Sequence, residues 1–239
     1  MIEINKEPKQ RIVVNTEESE RTATGLSEFL SKTYGWMAIA LVTSALAAWY
    51  VGHNESIMAT CLNHFLALAV IELGLVFGLS FFIEKISASV ASMIFVAYSL
   101  LNGITLGFYF MVYTSESIVS TFGVCALMFG VMSAYGYYTK TDLSGIGKLL
   151  TFGLIGIIIA GVVNLFLGSS LLCTITSAVG VIVFIGLTAY DTQMIKAIGS
   201  RYDGSESFTK LSIVAALQLY LDLINLIIYM LRFIGNKRE

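Results

Sequence analysis

Two aspartates stand in stretches that are otherwise apolar, and they are the side chains best suited to chemistry. Asp191 follows the run VIVFIGLTAY, and Asp222 lies within ALQLYLDLINLIIYMLR. An acid inside a membrane span costs about 2.5–3.5 kcal/mol, so such residues usually face the protein interior and have a partner. Two carboxylates that meet in a low dielectric cannot both ionise cheaply, and they share a proton. The two aspartates therefore predict a pH-sensitive latch.

The ionisation state of such a latch decides what it can bind. A shared proton joins the carboxyl groups by a hydrogen bond, whereas full ionisation produces repulsion and attracts a divalent cation. Calcium suits oxygen ligands, while zinc prefers His or Cys ligands that are missing nearby. The sequence thus nominates Asp191 and Asp222 as pH-sensing residues and as a candidate calcium site. It predicts no catalytic residue and no cofactor.

Polar residues recur at helical spacing around Asp222. They follow one another at steps of four, three, four and three, and they are Gln218, Asp222, Asn225, Tyr229 and Arg232. Such a stripe on an apolar helix indicates a helix enclosed by others, since lipid would not tolerate it. Gln218, Asn225 and Arg232 are therefore candidate pore-lining residues, together with Glu72 in LAVIELGLVFGLS. The alternatives are that Glu72 is a structural residue, and that amides such as Asn102, Asn164 and Asn225 only join helices.

The composition is that of a membrane protein. Of 239 residues, 56% are hydrophobic and 13% charged, against about 25% charged in soluble domains. The net charge of −2 provides no basic surface for nucleic acid. Single, scattered cysteines argue against disulfides and zinc sites.

Seven apolar runs are long enough to cross a bilayer as helices, which takes about 20 residues each. They cover approximately residues 35–51, 60–83, 88–112, 118–138, 149–167, 171–195 and 211–234. We predict an all-α integral membrane protein with the last helix central and the other six around it. Gly153, Gly156 and Gly161 in the fifth run predict close helix packing.

The charges outside these runs predict the domain organisation. Residues 1–33 form a polar tail whose end, with Leu26, Phe29 and Leu30, is predicted to lie along the headgroups. Residues 34–235 form the membrane domain, and residues 236–239 form a short tail. Lys and Arg occur in the first tail and in every second connection, which predicts a cytoplasmic N-terminus. The basic residues near the end, Arg232, Lys237 and Arg238, would lie outside if the last run spans fully. Either the six earlier spans outweigh these three charges or the last run re-enters, and we favour a full span.

The two aspartate segments, GLTAYDTQ and ALQLYLDLINLIIYMLR, resemble the Bax inhibitor-1 family, its bacterial members in particular. LNGITL, GYYTKTDLSGIG and VVNLFLGSS support the resemblance, which extends from the first run to the end. It implies seven helices with the last enclosed, and a pH-dependent calcium leak gated by Asp191 and Asp222. Some members have an arginine near the end of the second helix as a latch partner. Here that segment reads FFIEKIS, and Lys85 is the nearest cation.

Other functions remain open. A calcium/proton exchanger would use the same acids. A regulatory membrane protein would bind and restrain another membrane protein, such as a quality-control protease or a cell-death factor, as the family does elsewhere. An intramembrane aspartyl protease is disfavoured because its Gly-x-Gly-Asp and Pro-Ala-Leu segments are absent, so no enzyme is expected. The resemblance favours a bacterial plasma membrane over the endoplasmic reticulum.

Overall fold

The computed structural model describes the backbone of residues 7–238 and the side chains of residues 22–238. Its helices are α1 (Glu7–Gly52), α2 (Glu55–Asn63), α3 (Phe65–Phe82), α4 (Ala88–Gly107), α5 (Tyr109–Val112), α6 (Ser115–Tyr138), α7 (Ser144–Leu167), α8 (Ser170–Gly199) and α9 (Glu206–Ile234), with a 3₁₀ turn at Ile83–Lys85. No β-strand longer than an isolated bridge occurs in this part of the chain.

Seven segments of these helices are long and apolar enough to cross a membrane. They are Thr22–Gly52, Phe65–Lys85, Ala88–Val112, Ser115–Tyr138, Ser144–Leu167, Ser170–Gly199 and Glu206–Ile234, here called spans 1 to 7. The prediction of an all-α membrane protein with seven helices is confirmed. The predicted second run joined two helices that are separate, because α2 ends at Asn63 and span 2 begins at Phe65.

Helix ends follow the local sequence. Side-chain oxygens of Ser87, Thr114, Ser169 and Ser205 accept hydrogen bonds from backbone amides three residues further on, and so cap α4, α6, α8 and α9. Gly168 ends α7 in the left-handed conformation, with φ of 61°. These caps keep the connections short.

Span 7 is the most buried of the seven. In its most apolar window 67% of residues are buried, against at most 39% in any other span of the described chain. It packs chiefly on spans 1, 3, 4 and 6. The prediction that all six other helices surround it remains a prediction.

The beginning of α9 also joins the connection between spans 2 and 3. The Glu206 carboxylate accepts a hydrogen bond from the Ala88 backbone amide at 3.0 Å, which caps α4. Lys210 Nζ donates to the carbonyls of Glu84 and Ile86, at 3.4 and 3.1 Å. The start of span 7 therefore holds both ends of a connection far from it in sequence.

Helix α1 runs through the predicted boundary at residue 33 without a break. Phe29 is completely buried, with its ring 5.9 Å from that of Tyr202 and 6.4 Å from that of Phe208. Lys32 Nζ donates to the Tyr202 hydroxyl at 2.6 Å. The apolar side chain of Phe29 is covered by the α8–α9 connection and the start of α9, and the prediction that this segment lies along the headgroups stays a prediction.

The C-terminal segment pairs with the connection between spans 3 and 4. Lys237 forms an antiparallel bridge with Tyr113, with hydrogen bonds from Thr114 N to Asn236 O at 3.1 Å and from Arg238 N to Val112 O at 2.9 Å. Four further spans, an even number, lie between that connection and the chain end. Span 7 therefore crosses completely rather than re-entering, as favoured from the sequence.

Candidate functional site

Asp191 and Asp222 lie at the contact between α8 and α9. Their side chains are buried, with 3% and 4% of their surface exposed. The Asp191 carboxyl group interacts with that of Asp222 and with the Gln218 side chain. Asp222 Oδ2 is fully buried and has no hydrogen-bond partner among the described residues. Two acids expected from the sequence to meet are thus adjacent.

A short connection brings this about. Helix α8 ends at Gly199 and α9 begins at Glu206, so the two run antiparallel as neighbours. Two glycines permit close approach of neighbouring helices to α8 and α9. Gly180 of α8 leaves room for the Tyr229 ring, and Gly136 of α6 lies against the Ala189 backbone, where a Cβ atom would overlap. The site sits where α6, α8 and α9 pack against one another.

The two aspartates line a cavity of about 770 Å³. Spans 2, 3, 5, 6 and 7 all contribute to its wall. Its polar side chains include Glu72, Asn102, Asp191, Gln218, Asp222 and Asn225. Three of these are carboxylates, and no Lys or Arg is among the described residues that line the cavity. The cavity is consequently acidic.

No cation neutralises the aspartates within residues 22–238, where the one ion pair joins Lys32 to Glu28. Lys85, the nearest cation in the predicted latch segment, lies over the Phe82 ring at 5.6 Å. Lys196 is on the aspartate-bearing helix but donates to the Tyr137 carbonyl at 2.6 Å. Neither lysine therefore pairs with an aspartate of the site, as the latch arginine implied by the family resemblance would.

Glu72 belongs to the same cavity through a different set of partners. Its carboxylate accepts hydrogen bonds from the Thr105 hydroxyl and from Asn102 Nδ2, the latter at 3.4 Å. Asn102 Oδ1 accepts from the Tyr220 hydroxyl at 2.9 Å, and that hydroxyl also bonds Ser44 Oγ at 2.6 Å. A continuous polar chain therefore links spans 1, 2, 3 and 7. The sequence did not single out Ser44, Thr105 or Tyr220.

Glu72 and Asn102 also line a second cavity of about 460 Å³ nearer the end of span 7. Arg232 and Lys237 lie on its wall. Arg232 Nη2 donates to the Tyr109 hydroxyl at 3.2 Å. The predicted stripe of span 7 is thus divided, because Gln218, Asp222 and Asn225 line the first cavity and Arg232 lines the second. Glu72 stands between the two.

The remaining amides have local partners. Asn225 Nδ2 donates to the Leu221 carbonyl of its own helix at 2.7 Å, although its side chain also borders the first cavity. Asn164 Oδ1 accepts from the Ser169 amide at 2.9 Å, at the end of α7. The interpretation that these two amides join helices is not supported by these contacts, whereas Asn102 does join helices.

Within the described part of the chain, no group of three or more His, Cys, Asp or Glu side chains could hold a metal ion. Glu72 therefore does not complete a three-carboxylate site with the aspartates. A cation at the pair would have two carboxylates, with the Gln218 amide close by.

Seven apolar helices of span length, five of which line an acidic cavity, define the class as a multi-pass membrane protein. The sequence matches the family described as "Inhibitor of apoptosis-promoting Bax1" over residues 26–239. The chain belongs to this family, as the resemblance of its aspartate segments predicted.

Bacterial membrane proteins are among its relatives. The "Inner membrane protein YbhL" of Escherichia coli strain K12 is 46% identical over 219 residues, which cover 90% of this chain and 94% of that protein. An uncharacterized protein of Borreliella burgdorferi is 42% identical and is aligned over the full length of both chains. An uncharacterized protein of Deinococcus radiodurans is 39% identical, over 92% of this chain and 95% of that protein.

Proposed function

We propose that this protein is a pH-sensitive calcium leak channel of the bacterial plasma membrane, gated by a proton that Asp191 and Asp222 share. It is proposed as a transport protein without catalytic activity, in which calcium is the transported ion. The name of the Escherichia coli relative, an inner membrane protein, supports the location. We further propose the cytoplasmic N-terminus that the distribution of Lys and Arg predicts.

The observation that carries the proposal is the contact between two buried carboxyl groups without a cation. Removing both charges from water costs several kcal/mol per ion unless partners compensate. Among the described residues, Asp191 interacts with Gln218, whereas Asp222 Oδ2 has no hydrogen-bond partner. A shared proton removes one of the two charges and supplies the missing hydrogen bond. Loss of that proton creates repulsion between α8 and α9 and a site for a divalent cation.

The two cavities suggest the route of the ion. Asp191 and Asp222 border one cavity, Arg232 borders the other, and Glu72 borders both. Conduction requires binding that is strong enough to admit an ion and weak enough to release it. Two carboxylates with water fit this requirement better than a complete calcium site of six to eight oxygens. We propose that Glu72 is an intermediate station on the route.

Calcium flux into liposomes tests the channel itself. Purified protein should transport calcium without an imposed proton gradient, and protein-free liposomes should not. Asp191→Asn should change the flux at a given pH, whereas Glu116→Gln, which removes an exposed carboxylate far from the cavity, should leave it unchanged. Equal flux with and without protein would contradict the proposal.

The same vesicles separate a leak from exchange. A calcium/proton exchanger would move calcium against its gradient when a proton gradient is imposed, because transport of the two ions is coupled. A leak should only dissipate the calcium gradient, whatever the proton gradient. Uphill accumulation driven by protons would therefore replace the channel with the exchanger.

A second function is favoured by the length of α1. Its 46 residues extend about 69 Å at 1.5 Å per residue, about twice the hydrocarbon thickness. A helix that projects so far provides a surface for another membrane protein, such as a membrane protease. Deletion of residues 1–21 should preserve calcium flux in a channel. If the deletion instead abolished co-purification of a membrane protease, and flux was absent from both forms, the regulatory function would be preferred.

A further inference from the structure

The cavity that holds the aspartates is incompletely closed toward the lipid. Leu73 and Phe77 of span 2 and Ile158 of span 5 line it, yet 58%, 56% and 55% of their surfaces are exposed. Span 2 packs chiefly on span 3, and span 5 chiefly on span 6. In each of spans 2 and 5, only 6% of the most apolar window is buried. The cavity therefore opens between these two spans onto the lipid-facing surface.

The chemistry of the wall restricts what could enter by this opening. The outer part is apolar and exposes Leu73, Phe77 and Ile158, whereas the inner part carries Asp191 and Asp222. No cationic side chain among the described residues lines the cavity to compensate them. Asp222 Oδ2 has no hydrogen-bond donor there although Asp222 is only 4% exposed. The cavity thus lacks a donor that carries positive charge.

Shape and aromatic residues support a molecule larger than a metal ion. A volume of about 770 Å³ lies within the range of about 300–1,000 Å³ that is typical of small-molecule sites. Tyr98 and Tyr229 also line the cavity, and aromatic rings attract organic cations through their faces. An ammonium group additionally donates hydrogen bonds to carboxylates, which are then charge-assisted.

We infer that this cavity binds amphiphilic organic amines, which enter from the bilayer between spans 2 and 5. The apolar body lies against Leu73, Phe77 and Ile158, and the protonated amine donates to Asp191 and Asp222. Binding needs only the cavity and its acids. A bound amine should also block calcium flux. This consequence, unlike binding itself, rests on the proposed channel function.

The test compares 1-adamantylamine with 1-adamantanol, two probes with the same apolar body that differ in charge. Full-length protein in lipid nanodiscs is titrated with each probe by calorimetry in calcium-free buffer, and empty nanodiscs are titrated to subtract partition into lipid. Saturable binding of the amine, at least about tenfold tighter than that of the alcohol, is expected because only the amine gains a charged pair. Equal affinities would overturn the inference.

Variants locate the site. Asp222→Asn and Asp191→Asn should each weaken amine binding at least about tenfold, and Glu116→Gln should leave it unchanged. Ala69→Phe keeps every charge but adds bulk at the cavity wall on span 2, so it should weaken binding even if an aspartate variant fails to fold. Thermal unfolding of each variant identifies any that do not fold. Unchanged binding in folded Asp222→Asn and Ala69→Phe proteins would overturn the inference.

A parallel flux assay separates this inference from the proposed function. Amine binding without calcium flux in the wild-type protein would contradict the channel and leave the amine site standing. Calcium flux without saturable amine binding would contradict the amine site alone. Binding together with inhibition of flux, both lost in the Ala69→Phe variant, is the result we expect.

Discussion

Asp191 and Asp222 are buried by the protein rather than exposed to lipid, and this decides how they respond to protons. Buried charges are stabilised only by partners, and the partners described are each other and Gln218. In the proposed channel, protons and calcium ions compete for the same oxygen atoms. A metal ligand must be deprotonated, so the proposal requires that the occupancy of the pair by calcium depends on pH.

Calcium binding should consequently tighten as the pH rises. A carboxyl group that holds a proton cannot act as a metal ligand, and each proton released as the pH rises leaves an oxygen ligand free. Equilibrium binding of radioactive calcium to detergent-purified protein at pH 5, 6, 7 and 8 measures this. Asp222→Asn should remove most of the pH dependence, and Glu116→Gln should retain it. Binding that is stronger in acid would contradict the competition.

The Tyr220 hydroxyl should stabilise the polar chain that ends at Glu72. Tyr220→Phe removes hydrogen bonds to Asn102 and Ser44 and leaves Asn102 Oδ1 without its donor, which costs about 1–3 kcal/mol for a buried acceptor. Tyr98→Phe is the matched control because that ring also packs on Tyr220, at 5.9 Å, but its hydroxyl has no hydrogen bond described. Tyr220→Phe should have a lower melting temperature than Tyr98→Phe in thermal unfolding. Equal melting temperatures of the two variants would show that the polar chain of hydrogen bonds does not stabilise the protein.

The sequence predicted some of these residues and not others for a physical reason. An acid in an apolar helix is costly wherever it lies, so Asp191, Asp222 and Glu72 are visible without a structure. Their hydroxyl partners cannot be identified from the sequence. Serine and threonine, such as Ser44 and Thr105, occur throughout membrane helices, and their hydroxyls often donate to a carbonyl of their own helix. Only the packing of spans 1, 2, 3 and 7 brings those hydroxyls to Tyr220 and Glu72.

At the scale of helices, close packing follows glycines on some spans only. The prediction for span 5 was wrong at Gly156 and Gly161, where a Cβ atom would meet nothing within 4 Å, because that face of the span is exposed. Gly136 of α6, by contrast, lies against the Ala189 backbone of α8. Glycine in a sequence shows where helices can approach, but only the neighbouring helix shows whether they do.

Gly136→Ala should therefore destabilise the protein by about 1–3 kcal/mol, as overpacked positions do. The added methyl group must displace α6 from the helix that carries Asp191. Gly130→Ala on the same helix adds the same methyl group where nothing lies within 4 Å, and it should be neutral or stabilising by about 0.5–1 kcal/mol. Reversible unfolding in detergent compares them, and equal stability would contradict the close contact.

At the scale of the whole molecule, the C-terminal segment fixes the relative sides of the connections. Its pairing with Tyr113 and Thr114 places the end of the chain on the same side as the connection between spans 3 and 4. Seven spans could be counted from hydropathy alone, because length and apolarity determine them. The full crossing of span 7 could not be established from the sequence, because the positive charges that follow it conflict with the pattern of the other connections.

Labelling with a membrane-impermeant thiol reagent checks this arrangement in intact cells. In a background with the three native cysteines changed to serine, Asn236→Cys and Glu116→Cys should react from the same side. Asp142→Cys, in the connection between spans 4 and 5, should react only after the membrane is made permeable, given the proposed cytoplasmic N-terminus. Labelling of Asn236→Cys and Asp142→Cys from one side would contradict seven full spans.

The most direct test of the gating proposal is the ratio of calcium leak rates at pH 5 and pH 8, measured in liposomes that contain the wild-type protein or the Asp222→Asn variant. We expect a ratio that differs clearly from one in the wild-type protein and approaches one in the variant, because a single remaining aspartate has no carboxyl partner with which to share a proton. The same ratio in both proteins would contradict a gate made by Asp191 and Asp222.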